Sequence, residues 1–143
     1  MTESVASFRI DELKEGQKVS FLRMITEKDI TDFAGLTGDK NPLHMDDAFA
    51  QAQGFSGRVV HGALLAGFVS RMVGMHLPGE RALLHSLNLK FVSPTYIGDT
   101  VRVTATVDHL SPAAGAIGLS VLVENSEGSK VLARAELQVG MRQ

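Results

Sequence analysis

The chain has 143 residues, 44% hydrophobic and 21% charged, which supports one folded domain with a real core and excludes a disordered chain. A formal net charge of −2 and a pI near 6.2 leave no electrostatic footprint for nucleic acid. Cysteine is absent, so disulfides, thiolate metal sites and cysteine nucleophiles are excluded together. The opening MTESVASFRI lacks a basic start followed by an apolar run, so a secretory signal is not expected. The longest apolar stretch, residues 59–75, contains His61, Ser70 and Arg71 and falls short of a membrane span. A cytoplasmic protein without membrane or nucleic-acid partners is the expectation. No repeat, low-complexity tract or linker divides the sequence, and residues 1–143 read as a single domain.

A short strand is expected around residues 18–24. Thr26 followed by Glu27, Lys28 and Asp29 is a capping-box-like start, and Ile30, Phe33, Ala34 and Thr37 then fall at helical spacing. Gly35 and Gly38 weaken and finish that helix. A polar, turn-rich stretch follows from Gly38 to His44, and residues 46–53 predict a short helix closed by Gly54. Residues 60–76 predict a second helix, apolar nearly all round, the pattern of a helix buried inside a protein. Along it Gly62, Ala66, Ser70 and Gly74 recur at steps of four, a stripe of small residues open to close approach by a backbone or ligand.

From there on the pattern alternates. Leu87, Leu89 and Phe91 interleave with Asn88 and Lys90. Val101, Val103, Ala105 and Val107 do the same, then Ile117, Leu119, Val121 and Val123, then Val131, Ala133, Ala135, Leu137 and Val139. Alternation of this kind predicts antiparallel strands with one buried face, joined by turns at Pro112–Gly115 and Asn125–Gly128. A sheet wrapped around one apolar helix buries both, which makes the fold class α+β rather than βαβ.

Three chemistries compete for the polar residues. Gly54-Phe55-Ser56-Gly57 is one residue short of a serine nucleophile elbow, and no strand leads into it. A divalent ion could take His44, Asp46 and His61, although no spacing among them is diagnostic. The stretch from Asp39 to Asp46 is the third. A folded loop can point Asp39 and His44 at one water, and a histidine paired with a carboxylate suits general acid–base work. The alternative for this loop is plain turn chemistry, with Asp39 capping a turn and His44 incidental. Gly62, opening the apolar helix, leaves a backbone N–H at its positive end that could serve as an oxyanion donor, or the glycine is there only for packing.

The stretch TGDKNPLHMDDAFAQAQGFSGRVVHGALLAGFVSRMVGMHLPG resembles the MaoC-like dehydratases and (R)-specific enoyl-CoA hydratases. The F-x-x-P-x-x-x-G-D pattern at Phe91, Pro94, Gly98 and Asp99 is similar to theirs as well. The resemblance implies a hot-dog fold, a homodimer whose sheets join, and reversible addition of water to trans-2-enoyl thioesters giving (R)-3-hydroxyacyl thioesters. It implies no cofactor and no metal, and an acyl-CoA or acyl-carrier-protein thioester as the substrate. By the same resemblance Asp39 and His44 match the catalytic pair, and Gly62 matches the glycine whose N–H polarises the thioester carbonyl. Asn41 matches an asparagine that orders the loop, and Ser70 a helix serine near the catalytic groups. Gly67 stands where some relatives carry a serine, and Gly98 with Asp99 is read as a structural turn. If Ser70, Ala66 and Gly67 border the acyl pocket, enlarging Ala66 would exclude long substrates first. A hot-dog thioesterase is the second enzyme reading, but residues 60–76 carry no Asp or Glu. A non-catalytic acyl-binding module is the third. Arg58, Arg71 and Lys90 are the cations available to the phosphates of coenzyme A, though lone basic residues are usually just solvated.

Overall fold

Why the chain turns back on itself at residue 24 is written in the first helix cap. The computed structural model describes residues 3–143, and in it strand β1 (Lys18–Met24) runs directly into helix α1 (Glu27–Thr37). Thr26 caps α1 by accepting from the Asp29 N–H, while the Asp29 carboxylate accepts from the Thr26 N–H. Arg23 at the end of β1 grips the same carboxylate with both guanidinium nitrogens, at 2.7 and 2.9 Å. That grip, more than the cap itself, holds the Asp29 carboxyl below the ordinary carboxylate range. Gly38 ends α1 in the left-handed region at φ 81°, as its glycine predicts.

Two short helical pieces follow, α2 (Pro42–Met45) and α3 (Asp47–Ala52), the second closed by Gly54 at φ 97°. The turn-rich stretch of the sequence therefore contains one helical turn, begun by Asn41 as cap and Pro42 in the first turn. The long apolar helix, α4 (Gly62–Arg71), begins after the bridge between Val59 and Tyr96, two residues later than the pattern predicts. It continues as a π-helical turn over Met72–His76.

Four more strands complete one antiparallel sheet in the order β1-β3-β4-β5-β2: β2 (Ala82–Phe91), β3 (Thr100–Ser111), β4 (Ala116–Asn125) and β5 (Val131–Met141). The alternating residues of β3, β4 and β5 face inward, whereas in β2 Leu87 and Leu89 are half-buried and Phe91, expected on the buried face, is 57% exposed. Val101, Val103, Ala105 and Val107 of β3 and Ile117, Leu119, Val121 and Val123 of β4 are buried with Ala133, Ala135, Leu137 and Val139 of β5. The alternation breaks at a bulge beside Val131, where the extra residue Leu132 is buried at 1% exposure and Val131 is not. Leu65, Val69, Met72 and Val73 press the helix onto this face. Each side chain of this size contributes roughly 1.5–3 kcal/mol when removed from water. The architecture is the α+β hot-dog arrangement, one sheet curled around one helix.

Burial of that helix is one-sided in a single chain. Ala63, Gly67, Ser70 and Gly74 are exposed, because the sheet covers only the face carrying the larger residues. No helix among the described residues is long and apolar enough to cross a membrane.

Candidate functional site

The loop from Gly38 to Asn41 is stitched locally before anything distant touches it. Thr37 Oγ1 accepts from the Asp39 N–H at 3.1 Å, and Asp39 Oδ1 accepts from the Asn41 N–H at 3.3 Å. Asn41 Oδ1 in turn accepts from the Leu43 N–H at 3.0 Å, and the Asn41 carbonyl accepts from the His44 N–H at 2.8 Å. Asn41 thus orders the loop by geometry, its Oδ1 capping the first turn of α2.

His44 sits one turn on, its side chain 13% exposed against 50% for Asp39. Its Nδ1 lies 2.7 Å from the Val59 carbonyl, which can only accept, so Nδ1 carries the hydrogen and a neutral ring leaves a lone pair on Nε2. That Nε2 stands 4.0 Å from Asp39 Oδ2. The gap is too long for a direct hydrogen bond and suits a water bonded to both groups.

Residues 58–62 hold this loop from the other side. Arg58 Nε donates to the His44 carbonyl at 2.7 Å, and its other end meets Glu27 at 3.0 Å. The Val59 N–H donates to the Leu43 carbonyl at 3.1 Å, and His61 Nε2 donates to the Asp39 carbonyl at 3.0 Å. Gly62 then opens α4, so its N–H has no acceptor within the helix. A side chain at Gly62 would meet the Phe91 ring, since a Cβ there would stand 2.7 Å from Phe91 Cζ. Close approach of that ring is the packing reason for the glycine, and it leaves the N–H uncovered by any side chain of its own.

A cleft of about 400 Å³ is lined by His44, Gly62, Phe55, Leu65, Phe91 and Thr95 among others. His44 and the Gly62 N–H therefore share one partly apolar hollow at the mouth of α4. A slightly larger hollow, about 420 Å³, lies on the far face of the sheet among Lys18, Lys90, Thr106, Ser120 and Arg134, and neither Asp39, His44, Asn41, Gly62 nor Ser70 lines it. The cleft meets α4 at Gly62 and Leu65, and Ala66, Gly67 and Ser70 do not line it. Ser70 stands about 12 Å along the axis from Gly62 at ~1.5 Å per residue, exposed on the helix. Within one chain the structure brings Asp39, His44, Asn41 and Gly62 together and leaves Ser70 apart.

The cations weighed for phosphate binding part ways. Arg58 is committed to His44 and Glu27, with its side chain 11% exposed. Arg71 lies 4.0 Å over the Phe21 ring, and Lys90 is exposed on the outer face of β2. The ion-binding set of His44, Asp46 and His61 does not assemble, because Asp46 caps α3 by accepting from the Phe49 N–H. Asp39 takes its place, with one ligand atom each from Asp39, His44 and His61 within 4.8 Å. The two imidazoles are stacked, however, with centroids 3.9 Å apart and planes inclined by 28°. Nitrogen lone pairs lie in the ring planes, and planes so arranged meet well beyond the ~2.0–2.1 Å of a metal–nitrogen bond. As placed, the trio does not converge on an ion. Gly98 is left-handed at φ 93° and the Asp99 carboxylate accepts from the Tyr96 N–H at 2.9 Å, which makes that pair a turn.

The sequence reading weighed His61 only as a metal ligand and Arg58 only as a phosphate-binding cation, and missed their contacts with the His44 and Asp39 carbonyls. Nothing in sequence separates a buried guanidinium from a solvated one. For His61 the signal was adjacency to Gly62, a residue already singled out.

The family described as MaoC like domain matches residues 11–124. An (R)-specific enoyl-CoA hydratase from Rhodospirillum rubrum is 46% identical over 102 residues, 71% of this chain and 71% of that protein. The solved (R)-hydratase from Pseudomonas aeruginosa in its unliganded form superposes with a TM-score of 0.90 at 29% identity, covering 97% of this chain and 88% of that one. The (R)-hydratase from A. caviae involved in PHA biosynthesis superposes with a TM-score of 0.86 at 31% identity, covering 90% and 97%.

Proposed function

Because the chain belongs to the MaoC-like domain family, we propose that it is a hydro-lyase, an (R)-specific enoyl-CoA hydratase working reversibly as a 3-hydroxyacyl-CoA dehydratase. The observation that carries the reading is the 4.0 Å gap between Asp39 Oδ2 and His44 Nε2, beside the free Gly62 N–H. Hydration of an enoyl thioester needs three things: a held water, a group to take its proton, and a donor for the charge that builds on the carbonyl oxygen. A water between two acceptors has both hydrogens engaged and a lone pair left for carbon 3 of the substrate. The Gly62 N–H, at the positive end of α4, receives the thioester carbonyl as it becomes an enolate. The proton removed from water is returned at carbon 2. Asp39 and His44 act as a coupled pair in this scheme, so the two steps belong to the pair. Water and protons are all that move, and the reaction draws on no redox group.

The thioesterase reading finds no support on α4, which presents no carboxylate along its length. Incubation with crotonyl-CoA and, separately, butyryl-CoA separates the alternatives. Loss of the double bond without free thiol is the expected result. Release of thiol from butyryl-CoA would favour a thioesterase, and no change in either would favour a binding module.

A homodimer in the cytoplasm is part of the same proposal. Strand β2 is a sheet edge that carries exposed Leu83 and Phe91, each at 57%, and α4 leaves its small-residue side uncovered. Pairing β2 with a second copy removes an exposed edge. Light scattering at micromolar concentration should give twice the chain mass of 15.4 kDa. A monomer alone would contradict the assembly.

A further inference from the structure

Among the described residues two buried polar side chains, His61 and Thr95, have an unpartnered atom and no part in the proposed machinery, and His61 is the one that touches the Asp39–His44 pair. His61 is 1% exposed, and its Nδ1 has no hydrogen-bond partner among the described residues. An orphaned buried nitrogen costs stability, and an apolar residue of similar size would avoid that cost. What the imidazole does with its other atoms is therefore the question.

Each part of His61 touches a different part of the site. Its Nε2 donates to the Asp39 carbonyl across 22 positions of sequence, fixing the backbone that carries the carboxylate. Its ring face stacks on the His44 ring at 3.9 Å and is backed by Phe33 at 4.7 Å, which sets the plane in which His44 Nε2 points. Its own carbonyl accepts from the Leu64 N–H at 3.0 Å. That carbonyl and the Gly62 N–H belong to one planar peptide, so the same bond orients the oxyanion donor. We propose that His61 is a positioning residue of the hydration site, its side chain holding Asp39 and His44 in one fixed geometry without touching substrate. The inference rests on the hydratase reading and adds a residue to it.

The physical ground for a large effect is distance. A misplacement of about 1 Å in a reacting group can cost on the order of 10²-fold in rate. Three variants divide the contacts. His61→Gln places an amide N–H close to where Nε2 stands. His61→Asn keeps the amide but is one methylene too short to reach the Asp39 carbonyl. His61→Leu removes the donor and the orphaned nitrogen together.

Steady-state hydration of crotonyl-CoA by each variant, with thermal melting, is the test. His61→Asn and His61→Leu should lose about 10–100-fold in kcat with KM nearly unmoved, and His61→Gln should recover most of the loss. His61→Leu should melt no lower than the unmodified protein, so that activity and stability move separately. Should the leucine variant fail to fold, the Gln–Asn pair carries the same comparison. Near-normal kcat in folded His61→Asn, or equal losses in the Gln and Asn variants, would overturn the proposal. If the unmodified protein itself fails to hydrate crotonyl-CoA, it is the hydratase reading that falls.

Discussion

Replacing Asp39 by Asn is expected to cut turnover on crotonyl-CoA by at least about a hundredfold, because a single acid–base group is typically worth ~10²–10⁴ in rate. Asparagine keeps the shape and can still accept the Asn41 N–H, so the loop stitched by Thr37, Asp39 and Asn41 should survive. What it loses is the charge and the ability to take a proton at Oδ2, the atom 4.0 Å from His44 Nε2. His44→Ala should cost as much, since it removes the other half of the pair, the Nε2 across that gap. The double variant should be scarcely worse than either single one, as residues acting as a unit are not additive. Asp39 is half exposed, so Asp39→Asn should melt close to the unmodified protein, whereas His44→Ala gives up the bond to the Val59 carbonyl and the stacking on His61 and should melt lower. For Asp39→Asn the Michaelis constant should move less than turnover, because the cleft is lined by other residues, His44 among them. Multiplicative losses in the double variant would mean that the two groups work on separate steps.

The second large effect concerns a backbone atom. Gly62→Pro removes the N–H at the first position of α4, where proline is tolerated in a helix. His61 already has φ −55° and ψ 127°, the extended geometry that a following proline prefers. The variant is therefore expected to fold. Loss of one oxyanion donor costs about 10²–10³ in kcat, and that is the predicted loss. Gly62→Ala is the control. It introduces the same Cβ against the Phe91 ring but keeps the N–H, so any displacement of Phe91 is common to both variants. The alanine variant should lose far less than the proline variant. Equal losses would assign the effect to a displaced Phe91 instead of the missing donor.

Legibility in the sequence followed the range of the interaction. Caps and alternation are local, so the Thr26–Asp29 box, the Gly38 and Gly54 stops and the inward valines of β3 and β4 could all be read directly. The bulge at Leu132 could not, since an extra residue looks like any other until its partner strand is known. The single helical turn at Pro42–Met45 was hidden by turn-forming residues that serve equally well as caps. The one-sided burial of α4 was hidden because alanine, glycine and serine satisfy either a core or a surface. For the proposed site, spacing alone left Asp39, Asn41 and His44 open to plain turn chemistry, and it was the family resemblance that singled them out. Arg58 and His61 act across 14 and 22 positions, and only the fold brings those pairs together.

The central claim is that this pocket adds water to an activated double bond, with Asp39 and His44 holding the water. The most direct measurement is the reaction of the unmodified protein with crotonyl-CoA, followed by the loss of the conjugated double bond and by the configuration of the product. The account predicts (R)-3-hydroxybutyryl-CoA, formed without release of thiol, and the same equilibrium mixture when the reaction is begun from the hydroxy compound. A product of the opposite configuration would contradict the proposed placement of water and carbonyl, and a double bond left intact would contradict the function itself.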